Sequence, residues 1–400
     1  MIIGSGLGGL AFAQGLHKAS IPFMIYERNQ LNDARTQGYR IRLHGEGLDA
    51  LRTVSTDEVW DLFEETCPET RLGPLPNINA MTCEVTAASF GGNNPQSKVA
   101  QSQQKPYTVD RAVLRQVLLT GLDKHITYSK KYTHYELTDS GVIAHFADGS
   151  TYNGSLLVGA DGVRSAVGRQ YLPHLRVLDT KSRPMFGKTP LTPSFENHIL
   201  PKAMECLSII KDPQTGSVTL MEVIRFLPKD QRKYKHDLPN DYVYWVIIPP
   251  EKGSSATDEQ LKNISNEGAA ELAKELTAHW HPSLRPLIEY QDQNQTGAFR
   301  LLSSDPESLM QAWEPNARVT VLGDAAHAMM PSTASGAVTA FRDAELLSSL
   351  IIKQGATKES VGEYEGEMRK YASEAVALSA KIGQMSFGSG DLRDAEVVSW

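Results

Sequence analysis

The feature that most constrains this chain lies near its start, where Ile2-Ile3 runs into Gly4-Ser5-Gly6-Leu7-Gly8-Gly9 and then into the apolar run Leu10 to Leu16. Gly4, Gly6 and Gly9 stand at G-x-G-x-x-G spacing. The missing side chains permit a tight strand-to-helix turn, close approach of a ligand pyrophosphate, and close packing of helix on strand. The free N–H groups and positive dipole end of the helix then point at the phosphates. Phe23 to Glu27 reads as a second strand, parallel to the first because a helix separates them, so the segment is a βαβ unit. Glu27 falls about 20 residues beyond the turn, where an acidic side chain accepts hydrogen bonds from an adenosine ribose. Only Met1, Ile2 and Ile3 precede Gly4, against the roughly five or six residues usual in a strand, so the native chain is expected to start upstream of Met1.

The rest of the pattern is that of an α/β protein. Residues 110–122 place Val113, Leu114, Val117, Leu118 and Leu122 at helical spacing. Residues 132–160 alternate and are broken by Asp139-Ser140-Gly141 and Asp148-Gly149, which predicts a small antiparallel meander returning to a buried strand over Ser155 to Gly159. Strand-like runs at Ser217 to Phe226 and Tyr242 to Ile248, with turns at Asp212-Pro213 and Pro249-Pro250, predict an inserted sheet-rich domain. Val319 to Leu322 is another short buried strand, and from Gly336 the chain reads as helix through about Ser386.

Net charge is -7 and the basic residues are scattered, so the concentrated positive surface that nucleic acid requires is missing. No stretch approaches the roughly 18 to 20 apolar residues of a membrane span, and the start has no basic segment of a signal peptide. Cys67, Cys83 and Cys206 are far apart, with no Cys-x-x-Cys pair; they read as reduced structural thiols of a cytoplasmic protein. No Cys/His spacing suggests a metal site.

Two later segments, Gly159-Ala160-Asp161-Gly162-Val163-Arg164-Ser165 and Gly323-Asp324-Ala325-Ala326-His327-Ala328-Met329-Met330-Pro331, complete a three-part signature with the glycine turn. In these motifs the chain resembles the single-component FAD-dependent monooxygenases of the p-hydroxybenzoate hydroxylase fold. The run Gly38 to His44 and the length are similar to the tetracycline-inactivating and fungal secondary-metabolite branches. The resemblance is thin between about 175 and 295. It implies an α/β fold: a Rossmann-like FAD-binding domain with an inserted, mainly antiparallel β-sheet substrate domain and a C-terminal helical segment. The expected boundaries are 1–75, 100–172 and 300–345 for a discontinuous FAD domain, 76–99 and 173–299 for the substrate domain, and 346–400 for the C-terminal helices.

The resemblance also implies roles. Gly4, Gly6, Gly9, Glu27 and Arg28 join Asp161, Gly323 and Asp324 in holding FAD, with Asp324 on its ribitol or ribose and Asp161-Gly162 linked to both FAD and NAD(P)H. Arg111 and Arg115 match a helix that points an arginine at the cofactor phosphates. Pro331, Gly336, Ala337 and Val338 surround a helix N-terminus that should face the flavin and favour its reduced, negatively charged state. Ala334 stands where the family often has glycine and Val338 where asparagine is frequent. Arg42 is the expected residue near the reactive face, while Arg225, Tyr242, Tyr244 and Trp245 are candidates for the substrate pocket. His327 is expected to pack structurally beneath the flavin loop.

The implied reaction is reduction of FAD by NADPH or NADH, addition of O2 at flavin C4a as a hydroperoxide, and oxygen transfer to an aromatic or polycyclic small molecule, by a monomer or weak homodimer. Among rivals on this fold, a halogenase is disfavoured because Tyr244-Trp245-Val246-Ile247-Ile248-Pro249 lacks the Trp-x-Trp-x-Ile-Pro signature. An oxidase or reductase, and a non-catalytic FAD-binding module, stay open.

Overall fold

Short apolar runs that follow or precede helices can bury both faces only in a covered parallel sheet, and such a sheet of five strands forms here, four of them buried and the edge strand Ile126–Thr127 half-buried. In the computed structural model, which describes residues 1–31, 40–87, 105–234, 237–250, 261 and 264–399, these strands lie in the order Val319–Val321, Leu157–Gly159, Ile2–Ile3, Ile25–Tyr26 and Ile126–Thr127. All neighbours are parallel, with Ile2 opposite both Val158 and Ile25. The helix Leu7–Lys18 follows the first strand and buries Leu10, Phe12 and Leu16 in the same core. The expected meander is a three-stranded antiparallel sheet of Tyr132–Leu137, Val142–Phe146 and Thr151–Gly154.

A seven-stranded sheet forms the second layer, in the order Gly297–Ala298, Met185–Pro190, Tyr242–Ile248, Val218–Ile224, Ser208–Lys211, Pro76–Asn79 and Val85–Ala87. Its pairs are antiparallel except Ser208–Lys211 with Pro76–Asn79. Because side chains alternate along a strand, Met221, Val243, Trp245 and Ile247 share one face, which packs with Ala273, Trp280 and Leu287 in a separate core. The opposite face carries Leu220, Tyr244, Val246 and Ile248. A ribbon of Arg40–Leu43 and Tyr107–Asp110 stands beside both layers; Gly38 and Tyr39 of the run noted above lie outside the described residues.

The C-terminal part is helical, as expected. The stretch that reads as helix from Gly336 through about Ser386 is two helices, Gly336–Gln354 and Lys358–Phe387. Gly355, at φ +76°, ends the first, and Thr357 caps the second by accepting the Ser360 N–H. Among the described residues no helix is long and apolar enough to cross a membrane.

Candidate functional site

Glycine turn, Glu27, Asp161 and Gly323 all follow the carboxyl ends of parallel strands, where open α/β sheets place their ligands. They open into one cleft of about 2500 Å³ that continues to the apolar face of the seven-stranded sheet. Gly4, Gly6, Gly9, Glu27, Arg28, Arg42, Arg111, Arg115, Asp161, Gly323, Asp324, Pro331, Gly336, Ala337 and Tyr244 all line it.

At the nucleotide end two glycines differ in why they are glycine. Gly4 has φ +104° and a Cβ there would lie 2.4 Å from the Ala160 carbonyl oxygen, so the fold itself forbids a side chain. A Cβ on Gly6 would meet nothing nearer than that oxygen at 4.0 Å. The fold itself does not require glycine at position 6, which lines the cleft. Ser5 donates its N–H and hydroxyl to Glu27 Oε2 at 2.9 and 2.8 Å, and the Asn29 N–H donates to Oε1 at 2.9 Å. Burial pushes the Glu27 carboxyl up, but these hydrogen bonds and the charge of Arg115 outweigh it and hold the group below its ordinary value. Arg115 grips the turn from the helix Arg111–Leu119, with Nε 3.1 Å from the Ser5 carbonyl and Nη2 2.7 Å from Ser5 Oγ.

The Asp161 carboxylate turns toward its own segment, accepting from Ser165 Oγ at 2.5 Å and the Ala166 N–H at 2.7 Å at the start of the helix Ala166–Tyr171. Burial raises its carboxyl above the ordinary value. Asp324 begins the short helix Asp324–His327, after Gly323 at φ +62°. Asp324 lines the cleft, and desolvation raises its carboxyl despite the opposing charges of His327 and Arg111. Beneath it, His327 is fully buried with Nε2 2.5 Å from Asp343 Oδ2, as its expected structural role requires. Asp343, which the motifs did not single out, also accepts the Gly323 N–H at 2.7 Å and the Tyr371 hydroxyl at 2.6 Å. Burial pushes the His327 imidazole down, and the Asp343 charge more than offsets this.

The helix Gly336–Gln354 begins at the cleft with no side-chain cap, which leaves its first N–H groups and dipole end directed to the space a flavin would fill. Ala334 occupies the left-handed region at φ +55°, the conformation glycine adopts without cost. Val338 does not line the cleft: a Cβ on Gly47 would sit 2.7 Å from the Val338 Cα and Cγ1, so this residue packs against the helix Glu46–Val54.

On the substrate side only Tyr244 of the four candidates reaches the cleft, beside Leu220, Val246 and Ile209. Trp245 points to the opposite core and donates Nε1 to Thr189 Oγ1 at 3.1 Å. Tyr242 shares the face of Tyr244, yet its hydroxyl is taken by Asp110 Oδ2 at 2.6 Å, next to Lys188 Nζ at 2.7 Å from the same oxygen. Arg225 lies outside the cleft and pairs with Glu196 at 2.5 Å. Arg42 lines the cleft as an ion pair, with Nη2 2.5 Å from Glu222 Oε1, and Arg40 pairs with Oε2 of the same carboxylate. Burial, then the neighbouring Arg40 charge, pull the Arg42 guanidinium down to about 10 against the opposing effect of Glu222. His134, Glu136 and His145 bring ligand atoms within 4.8 Å of one another on the meander, away from the cleft lining. The three cysteines are unpaired.

Comparison with known proteins agrees with this geometry. Residues 301–379 match the family described as FAD binding domain. The chain is 34% identical, over 97% of its length, to the dual O-methyltransferase/FAD-dependent monooxygenase elcB of Phaeosphaeria nodorum, of which it spans 44%. It is 28% identical, over 95% of its length, to the FAD-dependent monooxygenase thnD of Trichoderma harzianum, covering 91% of that protein. In structure it is similar to a Photorhabdus luminescens subsp. laumondii TTO1 protein assigned as an FAD-containing monooxygenase, with a TM-score of 0.77, 28% identity and coverage of 96% and 97% of the two chains. Klebsiella pneumoniae HpxO complexed with FAD and uric acid shares the fold at TM-score 0.72 and 19% identity, over 97% of this chain and 88% of that one. With three motifs converging on one cleft, the chain is similar in sequence and fold to the FAD-dependent monooxygenases of the p-hydroxybenzoate hydroxylase fold, and it spans about half the length of the dual-function relatives it matches.

Proposed function

We propose that this protein uses NAD(P)H and O2 to hydroxylate or epoxidise an aromatic or polycyclic small molecule. The observation that carries the reading is the continuity of the cleft, which joins the glycine turn and Asp324 to the apolar face around Leu220, Tyr244 and Val246 without a partition. The chain spans less than half of the bifunctional relative, but 91% of one named as a monooxygenase alone. That favours oxygenation over methyl transfer as the activity of this chain.

FAD bound there supplies hydride acceptance and oxygen activation. The chain's own residues do the rest. Glu27, held ionised by Ser5 and Asn29, accepts from the ribose hydroxyls, and the space at Gly6 admits the pyrophosphate. Asp324 binds the sugar or ribitol chain opposite Arg111. The uncapped start of Gly336–Gln354 stabilises negative charge at the flavin ring, worth up to about 2 kcal/mol in a partly buried setting. Leu220, Ile209, Val246 and Phe186 exclude water from the reacting end. Anaerobic stopped-flow mixing of holoprotein with NADPH or NADH, with and without aromatic ligands, tests this: the visible flavin band bleaches, faster with a fitting ligand. Persistence of the band with either nucleotide and every ligand overturns the reading.

A further inference from the structure

Outside the cleft, the antiparallel meander carries a group of side chains that no step of the proposed reaction uses. Its strands Tyr132–Leu137 and Val142–Phe146 pair with His134 opposite His145 and Glu136 opposite Ile143. Alternation along the strands buries Tyr135, Val142, Ala144 and Phe146 in the core and turns His134, Glu136 and His145 to the other face. The register shifts between Tyr132 and His134, and this bulge leaves Thr133 and His134 both exposed between the buried Tyr132 and Tyr135. On that outer face His134, Glu136 and His145 each bring one ligand atom within 4.8 Å of the others.

The hydrogen bonds around this group prepare its nitrogens as ligands. The Thr133 hydroxyl has one proton, which it donates to the His145 carbonyl at 3.0 Å. Its oxygen therefore accepts from His134 Nδ1 at 3.1 Å, and in the neutral imidazole this leaves Nε2 bare. A ring held in that way through one nitrogen offers the other to a metal ion. His145 Nε2 is buried with no hydrogen-bond partner among the described residues and stands 3.6 Å from Glu136 Oε1. The two imidazoles stack, with centroids 4.3 Å apart and planes 10° from parallel, so one ring must tilt before both aim at one ion. His134 and Glu136 are exposed and have room to move inward, while the more buried His145 is the fixed member of the set.

We propose that His134, Glu136 and His145 form a site for a divalent transition-metal ion on the outer face of the meander. Two imidazoles and one carboxylate favour Zn2+, Ni2+ or Cu2+ over Mg2+ and Ca2+, which prefer sets made of oxygen alone. Metal–ligand distances of about 2.0–2.2 Å place donors on one ion roughly 3–3.5 Å apart, a closure that the two exposed side chains can supply. Positions left open on the ion are taken by water. The bound ion ties the first strand of the meander to the second, and Tyr132 at the start of the first lines the nucleotide end of the cleft. Because the site exists only in the folded meander, binding stabilises the protein against unfolding.

The test is calorimetric titration of Zn2+ into untagged, FAD-loaded protein cleared of metal by a chelator, with Mg2+ as the comparison ion. Saturable binding of one Zn2+ per chain is expected, with a dissociation constant on the order of micromolar and Mg2+ at least about hundredfold weaker. H134N and H145N should each weaken Zn2+ on the order of hundredfold, and E136Q about tenfold. None of the three positions lines the cleft, so the variants should retain their flavin. If H145N loses its fold, H134N and E136Q decide alone. Cu2+ at one equivalent identifies the ligands directly: its electron paramagnetic resonance spectrum should show splitting from two imidazole nitrogens in wild type and from one in H134N. No saturable Zn2+ binding below millimolar concentration, equal affinity for Mg2+, or Zn2+ affinity unchanged in both H134N and E136Q overturns the site. A copper spectrum identical in wild type and H134N overturns it as well.

Discussion

His327 Nε2 and Asp343 Oδ2 lie 2.5 Å apart, and the same oxygen receives the Gly323 N–H at 2.7 Å. A side chain from the long helix Gly336–Gln354 thereby fixes the turn that presents Asp324 to the cleft. Replacing Asp343 with alanine strands two buried donors, on Gly323 and His327, and the half-buried Tyr371 hydroxyl. The expected loss is about 3–5 kcal/mol, the range for breaking a buried charged pair, together with loss of bound FAD. Thermal unfolding and flavin retained through gel filtration measure both; unchanged values contradict the assignment.

Gly4 and Gly6 should fail differently. Gly4→Ala drives a Cβ toward the Ala160 oxygen at a positive φ and is expected to destabilise the protein with or without cofactor. Gly6→Ala finds open space, so its unfolding without cofactor should match wild type while FAD affinity falls. Paired thermal and FAD titrations separate them. Normal FAD affinity in G6A would remove the pyrophosphate from that space.

Ala334 sits at φ +55°, a strain of roughly 1 kcal/mol for a residue with a side chain. Ala334→Gly relieves it at the cost of about 0.4–1 kcal/mol of extra unfolded-state entropy, so stability should change little or rise slightly. Denaturant midpoints test this. A large destabilisation would mean that the loop does not adopt this backbone.

Acid sensitivity should centre on Asp179. Burial pushes its carboxyl up, but Arg183 and Arg300 outweigh this and hold it well below its ordinary value of 3.8. Arg183 contributes two contacts of 2.9 Å, and Arg300 contributes contacts of 3.0 and 2.7 Å. A depressed folded-state value means that the unfolded chain binds the proton first as pH falls. The stabilisation is therefore present above pH 3.8 and is lost below it. Asp179→Asn should lower stability at neutral pH and flatten the acid limb of the stability profile; an acid limb of unchanged slope contradicts this.

The nucleotide half of the site was legible because its chemistry is local: a turn, the carboxylate at the next strand end, and two short strand-to-helix motifs all act through neighbouring backbone. Glu222 was not, because its partner Arg42 lies 180 residues away in the chain, and Asp343 was not, because its contact with His327, 16 residues earlier, is made only when the helix Gly336–Gln354 packs under the turn. Tyr244 and Trp245 show a second limit. Tyr242–Ile248 is apolar on both faces, one lining the cleft and the other a core, so no alternation marks which side faces substrate. The helix break at Gly355 was visible as a residue type, but apolar periodicity on both sides concealed it.

The most direct test of oxygenation is turnover of FAD-loaded protein with NAD(P)H and aromatic candidates under isotopically heavy O2. Mass spectrometry of the products then reports the fate of the oxygen. One heavy oxygen atom in an aromatic product, with the other in water, is the expected result. Flavin turnover that yields only heavy hydrogen peroxide or an unlabelled oxidised product, across candidates that bind the cleft, would contradict it and assign the chain to oxidase chemistry.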